Sequence, residues 1–295
     1  MKRSIGKQYD KDDPFKKKAR LHQSKIRSEI LQVNYDEYGN RLTEHDAKLG
    51  LNFYRGFNIF DEVKKRYPAY SKGLYADMLR SEHIPFNVFI PLKKNLMFAT
   101  EIFIDLLSIE MDRVTDIKVE YAPSPSIDYL NDRTAFDTYV EYVHKDMNKG
   151  IIGIEVKYTE QDYKLKRGSK EEADINDATS PYWHLTKKLG LFKQDKISEL
   201  PKDRYRQIWR NQLLGESILN RTDSKYAYFT SVILYPAGNG HFTEVSQEYS
   251  TFLTIPDKQR FTAITFETLF KLVEEKSDTN ELKHWISYLY KRYIV

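Results

Sequence analysis

Residues 226–235, Tyr-Ala-Tyr-Phe-Thr-Ser-Val-Ile-Leu-Tyr, restrict the fold more than any other stretch of the chain. They carry no charge, are rich in aromatic and β-branched side chains, and are cut off by Pro236-Ala-Gly-Asn-Gly. Such a run is too continuously apolar for an exposed strand and belongs in the centre of a covered sheet. Upstream, residues 134–143 and 150–158 flank a polar turn holding Asp146, Asn148 and Gly150, which is a β-hairpin signal. Ile117, Val119 and Tyr121 alternate with polar residues in a further strand, ended by Pro-Ser-Pro-Ser at 123–126.

Helical periodicity fills much of the rest. Two apolar-periodic stretches, 74–90 and 95–108, predict helices meeting at Pro91, and 57–66 is a helical patch after a turn at Gly39-Asn40. Asp203 can cap a helix whose one face holds Tyr205, Ile208, Trp209, Gln212, Leu213 and Leu219. Two amphipathic helices, 265–276 and 279–293, close the chain. Residues 159–179 lose periodicity and read as a mobile, charged surface loop. Helix, hairpin, helix, strand and helix together predict an α/β (α+β) fold, a mixed sheet with helical cover and a helical N-terminal extension.

A length of 295 residues suits one domain over 28–295, with 28–73 as an elaboration and 74–295 as core and C-terminal helices. Residues 1–27 hold ten Lys/Arg against three Asp, so the total of +4 divides into +7 in this segment and −3 in the body. They read as a basic, flexible arm, suited either to a phosphate backbone or to ordinary solvation.

Cysteine is absent, which excludes disulfide scaffolds, thiolate zinc sites and cysteine nucleophiles. The seven histidines show no metal-ligand spacing, and no glycine-rich loop carries the Lys-Ser/Thr of a nucleotide site. No signal-like core follows Met1 and no eighteen-residue apolar run occurs, so a cytoplasmic location without membrane association is expected.

Chemistry concentrates at Asp137, Glu155 and Lys157. Strand alternation puts Glu155 and Lys157 on one face, and a hairpin turning near Asp146 pairs residues summing to about 292, which sets Asp137 opposite Glu155. Two opposed carboxylates repel unless neutralised, and a magnesium ion held by carboxylates, water and phosphate oxygens does this. An ammonium beside it can stabilise a developing phosphorane or help deprotonate the attacking water. Glu-x-Lys alone is common by chance and can be an ordinary outward pair on a half-exposed strand. Here it sits among Ile151, Ile152, Ile154 and Val156, in a strand apolar on both faces.

The stretch Asp132-Arg-Thr-Ala-Phe-Asp-Thr-Tyr-Val-Glu-Tyr142, followed by Gly153-Ile-Glu-Val-Lys-Tyr-Thr-Glu160, resembles the PD-(D/E)XK nuclease superfamily. It is most similar to a branch of uncharacterised bacterial proteins with Ser-Glu before Phe-Asn-x-Phe, here Ser81-Glu-His-Ile-Pro-Phe-Asn-Val-Phe89. That branch also has a later helix like Tyr205–Leu214 and a strand ending Leu-Tyr-Pro-Ala-Gly-Asn, here 234–239. The resemblance covers about residues 40–270 and implies a restriction-endonuclease-like sheet of about four strands flanked by helices. It implies Asp137 and Glu155 as metal ligands and Lys157 as the catalytic lysine. Glu82 would be the additional helical acid and metal ligand, and Gln212 the glutamine on the following helix. The residues before Asp137 are Ala-Phe, so the name-giving proline is missing.

Glu101 competes with Glu82 for the helical acid, and Gln212 can equally be a core amide; Asp132 and Arg133 read as a local salt bridge. The function implied is a nuclease dependent on Mg2+ or Mn2+ that hydrolyses phosphodiesters in nucleic acid, DNA before RNA. The alternative is a catalytically silent nucleic-acid- or protein-binding module on the same fold. Oligomeric state stays open, a homodimer included.

Overall fold

The computed structural model describes residues 3–255 and 260–295. Its centre is a five-stranded sheet in the order β3 (Met111–Tyr121), β4 (Phe136–His144), β5 (Lys149–Val156), β6 (Tyr226–Tyr235) and β7 (Phe261–Thr265). The first two pairings are antiparallel and the last two parallel, so the sheet is mixed. As its composition demands, β6 lies between two strands with helices on both faces.

One face packs Ile152, Ile154, Val156, Val232 and Leu234 against α4 (Ile84–Lys94), α5 (Leu96–Leu107), α10 (Phe266–Lys276) and α11 (Asn280–Tyr293). The other packs Ile151, Phe229, Ile233 and Tyr235 against α7 (Pro181–Leu189), α8 (Arg206–Leu219) and α9 (Gly240–Phe252). A third apolar cluster joins α3 (Ile59–Arg66) and residues 74–78 to Phe86 and Ile90 of α4. The remaining elements are the short hairpin β1 (Tyr35–Asp36) and β2 (Tyr38–Leu42), α1 (Pro14–Lys25), α2 (Glu44–Lys48) and α6 (Lys170–Asn176).

Several expectations shift. Pro91 lies inside α4 rather than between helices, and the break falls at Asn95. Proline removes the hydrogen bond to the carbonyl four residues earlier, and the carbonyl of Asn87 instead accepts from Trp285 Nε1 at 2.8 Å. Gly39 and Asn40 sit within β2, and the hairpin turns at Glu37, whose φ is +60°. Asp203 does not cap α8; its carboxylate pairs with Arg206 at 2.8 Å.

Residues 3–27 are not a free arm. Residues 14–25 form α1, capped by Asp13, and Gln23 donates to Tyr158 Oη at 2.8 Å and to the Arg292 carbonyl at 2.6 Å. Arg27 is fully buried, with its guanidinium on the carbonyls of Gly39, Val33, Ser4 and Ile5. Arg20 pairs with the buried Asp12. Two of the ten basic residues of 1–27, Arg20 and Arg27, are therefore used inside the protein, while Lys11, Lys17 and Lys18 stay exposed. Met1 and Lys2 lie outside the described residues. Among the described residues no helix is long and apolar enough to cross a membrane.

Candidate active site

Three acids occupy one transverse row of the sheet. The β4–β5 ladder pairs Thr138 with Ile154 and Tyr139 with Gly153, so Asp137 and Glu155 are the next opposed pair. The β3–β4 ladder pairs Val119 with Thr138 and Tyr121 with Phe136, which sets Glu120 opposite Asp137. Opposed residues of an antiparallel pair bring Cβ atoms within about 4.5–5.5 Å. Glu120 has φ +57°, and its carboxylate accepts from Tyr67 Oη at 3.0 Å while Arg66 holds its carbonyl at 2.9 and 3.2 Å.

This row carries more negative charge than its surroundings neutralise. Burial, then the charges of Glu155 and Glu120, drive the Asp137 carboxyl well above the usual carboxylate range. Lys157 and the Val156 N–H, which donates to Asp137 Oδ2 at 2.6 Å, pull the other way. Burial, and beyond it the charge of Glu155, push Glu120 up to about 7, although Tyr67 opposes this.

Glu155 and Lys157 are both buried, at 4% and 7% exposure, and their Oε1 and Nζ atoms are 2.5 Å apart. Lys157 also donates to Gln207 Oε1 at 2.5 Å, and the Gln207 amide nitrogen donates to Glu155 Oε1. Asn211, one helical turn on, donates to Glu155 Oε2. Burial lowers the affinity of Lys157 for its proton, but Glu155 and Asp137 outweigh it and raise its pKa.

Six hydrogen bonds, made through Lys157, Asn239 and Glu160, lock the end of β5. The Lys157 N–H donates to the Leu234 carbonyl at 2.8 Å. Asn239, at the end of the Pro-Ala-Gly-Asn segment, donates to the Tyr158 and Glu160 carbonyls at 2.9 and 3.2 Å. Glu160 accepts from the N–H groups of Tyr158, Thr159 and Ser81 at 2.9, 3.1 and 2.9 Å. These contacts hold the separated sequence segments around 81, 157 and 239 together.

Glu82 lies beside Ser81 in a single 3-10 turn, not within a full helix. It pairs with Arg80 at 2.6 Å, and its charge is among those raising the pKa of Glu120. Glu101 is exposed on α5. Gln212 is fully buried and bonds Glu216 at 3.3 Å, so it does not join Glu155 and Lys157; Gln207 and Asn211 hold that place. Asp132 pairs with Arg210 at 2.9 Å rather than with Arg133. Glu120, Gln207 and Asn211 are the site residues that sequence reasoning missed. Ladder arithmetic across β3 and β4 signals the first, and the i, i+4 spacing of two side-chain amides signals the others.

Among the described residues no group of three or more Asp, Glu, His or Cys side chains is assembled to hold a metal ion. The donor set that is present, Asp137 and Glu155, consists of hard oxygens under mutual repulsion. Two carboxylates with water and phosphate suffice for magnesium, so the residues fit such an ion.

A mixed sheet with helices on both faces, two opposed acids on adjacent strands and a lysine two residues beyond the second defines a restriction-endonuclease-like protein. The family model of the PD-(D/E)XK nuclease superfamily matches residues 10–295, and the chain belongs to that superfamily. No curated protein and no solved structure matches it.

Proposed function

We propose that the protein is a metal-dependent nuclease that hydrolyses phosphodiester bonds in nucleic acid, DNA before RNA, at the row Glu120, Asp137 and Glu155. The observation that carries this is the opposed pair Asp137 and Glu155 with Lys157 on the same face. A binding surface for phosphate gains nothing from converging carboxylates, which repel it.

Asp137 and Glu155 would hold Mg2+ or Mn2+, which supplies Lewis-acid charge stabilisation and a more acidic water. The Val156 N–H fixes one oxygen of Asp137 and leaves the other open. The charges of Glu155 and Asp137 raise the Lys157 pKa against its burial, so it acts as an ammonium toward both of its side-chain partners. Its place is to stabilise charge on the phosphoryl oxygens, not to take the proton of the attacking water. Gln207 binds Lys157 through its oxygen and Glu155 through its nitrogen, fixing their separation, and Asn211 orients the far oxygen of Glu155. Glu82 and Glu120 extend the acidic field on the Asp137 side, whereas Gln212 has no place in the reaction.

Purified protein with Mg2+ or Mn2+ should cleave DNA, and Lys157→Ala should abolish cleavage while circular dichroism shows an intact fold. Undiminished cleavage by the variant would refute the assignment. Calorimetry on Asp137→Asn with Glu155→Gln should show divalent binding lost.

A further inference from the structure

A groove with a cavity of about 480 Å³ runs between α3, α4 and the end of edge strand β3 and opens at Glu120. Its floor is apolar, from Phe86, Ile90 and Val119, and its rim is cationic. Lys65, Lys94 and Lys93 lie 2.8, 3.6 and 3.8 Å from the same carboxylate, that of Glu62. Three ammoniums on one carboxylate leave an excess of two positive charges, and Arg66, whose guanidinium bonds only the Glu120 carbonyl, adds a third; of the other charged lining residues, Lys118 pairs with Asp116 and Glu141, and Glu120 is the one further acid among the described residues. Such local excess in a concave, partly apolar setting is strengthened by its low-dielectric walls and concentrates polyanions. In the basic N-terminal segment Arg20 and Arg27 are spent inside the protein, while Lys17 and Lys18 stand exposed on α1 and serve as the comparison.

We propose that this groove carries the sugar-phosphate backbone of the substrate strand toward the acid row, with Lys65 and Lys93 of its lining, and Lys94 beside them on Glu62, as its phosphate contacts. The proposal rests on the nuclease reading. The groove is lined by no Asn, Gln, Ser, Thr or His among the described residues, and both bonded nitrogens of Arg66 are occupied by a backbone carbonyl. Its lysines offer point charges to phosphate, so its contribution to binding is expected to be largely independent of sequence.

The test is fluorescence anisotropy of the full chain with a labelled single-stranded DNA, without divalent metal, over a range of salt. Changing Lys65, Lys93 and Lys94 together to Gln should weaken binding at least tenfold at low salt. It should also reduce the slope of log K against log salt by about 2, equally for mixed-sequence and homopolymer strands. Changing Lys16, Lys17 and Lys18 of α1 together to Gln removes the same net charge elsewhere and should leave both nearly unchanged. Equal losses in the two triple variants, or no loss in the groove variant, would overturn the proposal. Failure of the nuclease reading shows separately, as absence of metal-dependent cleavage by wild-type protein that still binds DNA through the groove.

Discussion

Glu120 and Asp137 face each other across β3 and β4; the charge of Glu120 raises the affinity of Asp137 for a proton, and that of Glu155 raises the affinity of both. The folded chain therefore binds more protons here than the unfolded chain does. Stability from Glu120 is fully present below its unfolded pKa of 4.5 and is lost as pH rises through about 7. The loss amounts to about 3 kcal/mol. Glu120→Gln should flatten the decline of metal-free stability across this window, read by urea unfolding at a series of pH values. An unchanged decline would remove Glu120 from the coupled row.

Gln207 and Gln212 sit on the same helix and should behave in opposite ways. Gln207→Ala frees both Lys157 and Glu155 from their shared amide, and kcat should fall about 10- to 100-fold with little change in fold. Gln212→Ala leaves Glu155 and Lys157 untouched, so its effect should appear in thermal stability and not in kcat. Equal kinetic effects of the two substitutions would contradict the placement.

Arg27 donates to four backbone carbonyls from a fully buried position. Arg27→Ala strands these acceptors and should cost about 3 kcal/mol or more, seen as a lowered denaturation midpoint. Were the N-terminal segment an independent arm, the midpoint would not move.

His83 is fully buried and its pKa is lowered well below 6.5, first by burial and then by the charge of Arg292. The unfolded chain binds the proton more readily, so stability from this group is lost as pH falls below 6.5. His83→Gln should weaken that acid-side loss, measured by unfolding between pH 5 and 6.5 in the Glu120→Gln background. An identical acid limb would show that His83 does not titrate in this range.

The sheet was legible wherever alternation and turn chemistry agreed. Residues summing to 292 are in fact the β4–β5 pairs, because the polar turn before Lys149 fixes the register. β7 escaped notice because its five residues run directly into α10. The site partners on α8 were harder to see for a different reason. Nearly the whole helix is buried, so no polar stripe marks which face meets β5. The resemblance points to Gln212 and carries no signal for Gln207 or Asn211. Residues 1–27 read as an arm from charge alone, because composition does not show that Arg20 and Arg27 have buried partners.

Asp137→Asn tests the central claim most directly. Asparagine can still accept the Val156 N–H, but it removes the charge pressed against Glu155 and Glu120. The expected result, with stability and Mn2+-dependent DNA cleavage measured on the same preparation, is a metal-free protein more stable than wild type at pH 8 whose cleavage is reduced at least about a thousandfold. Wild-type cleavage, or a loss of cleavage accompanied by destabilisation, would contradict a site built on repelling carboxylates.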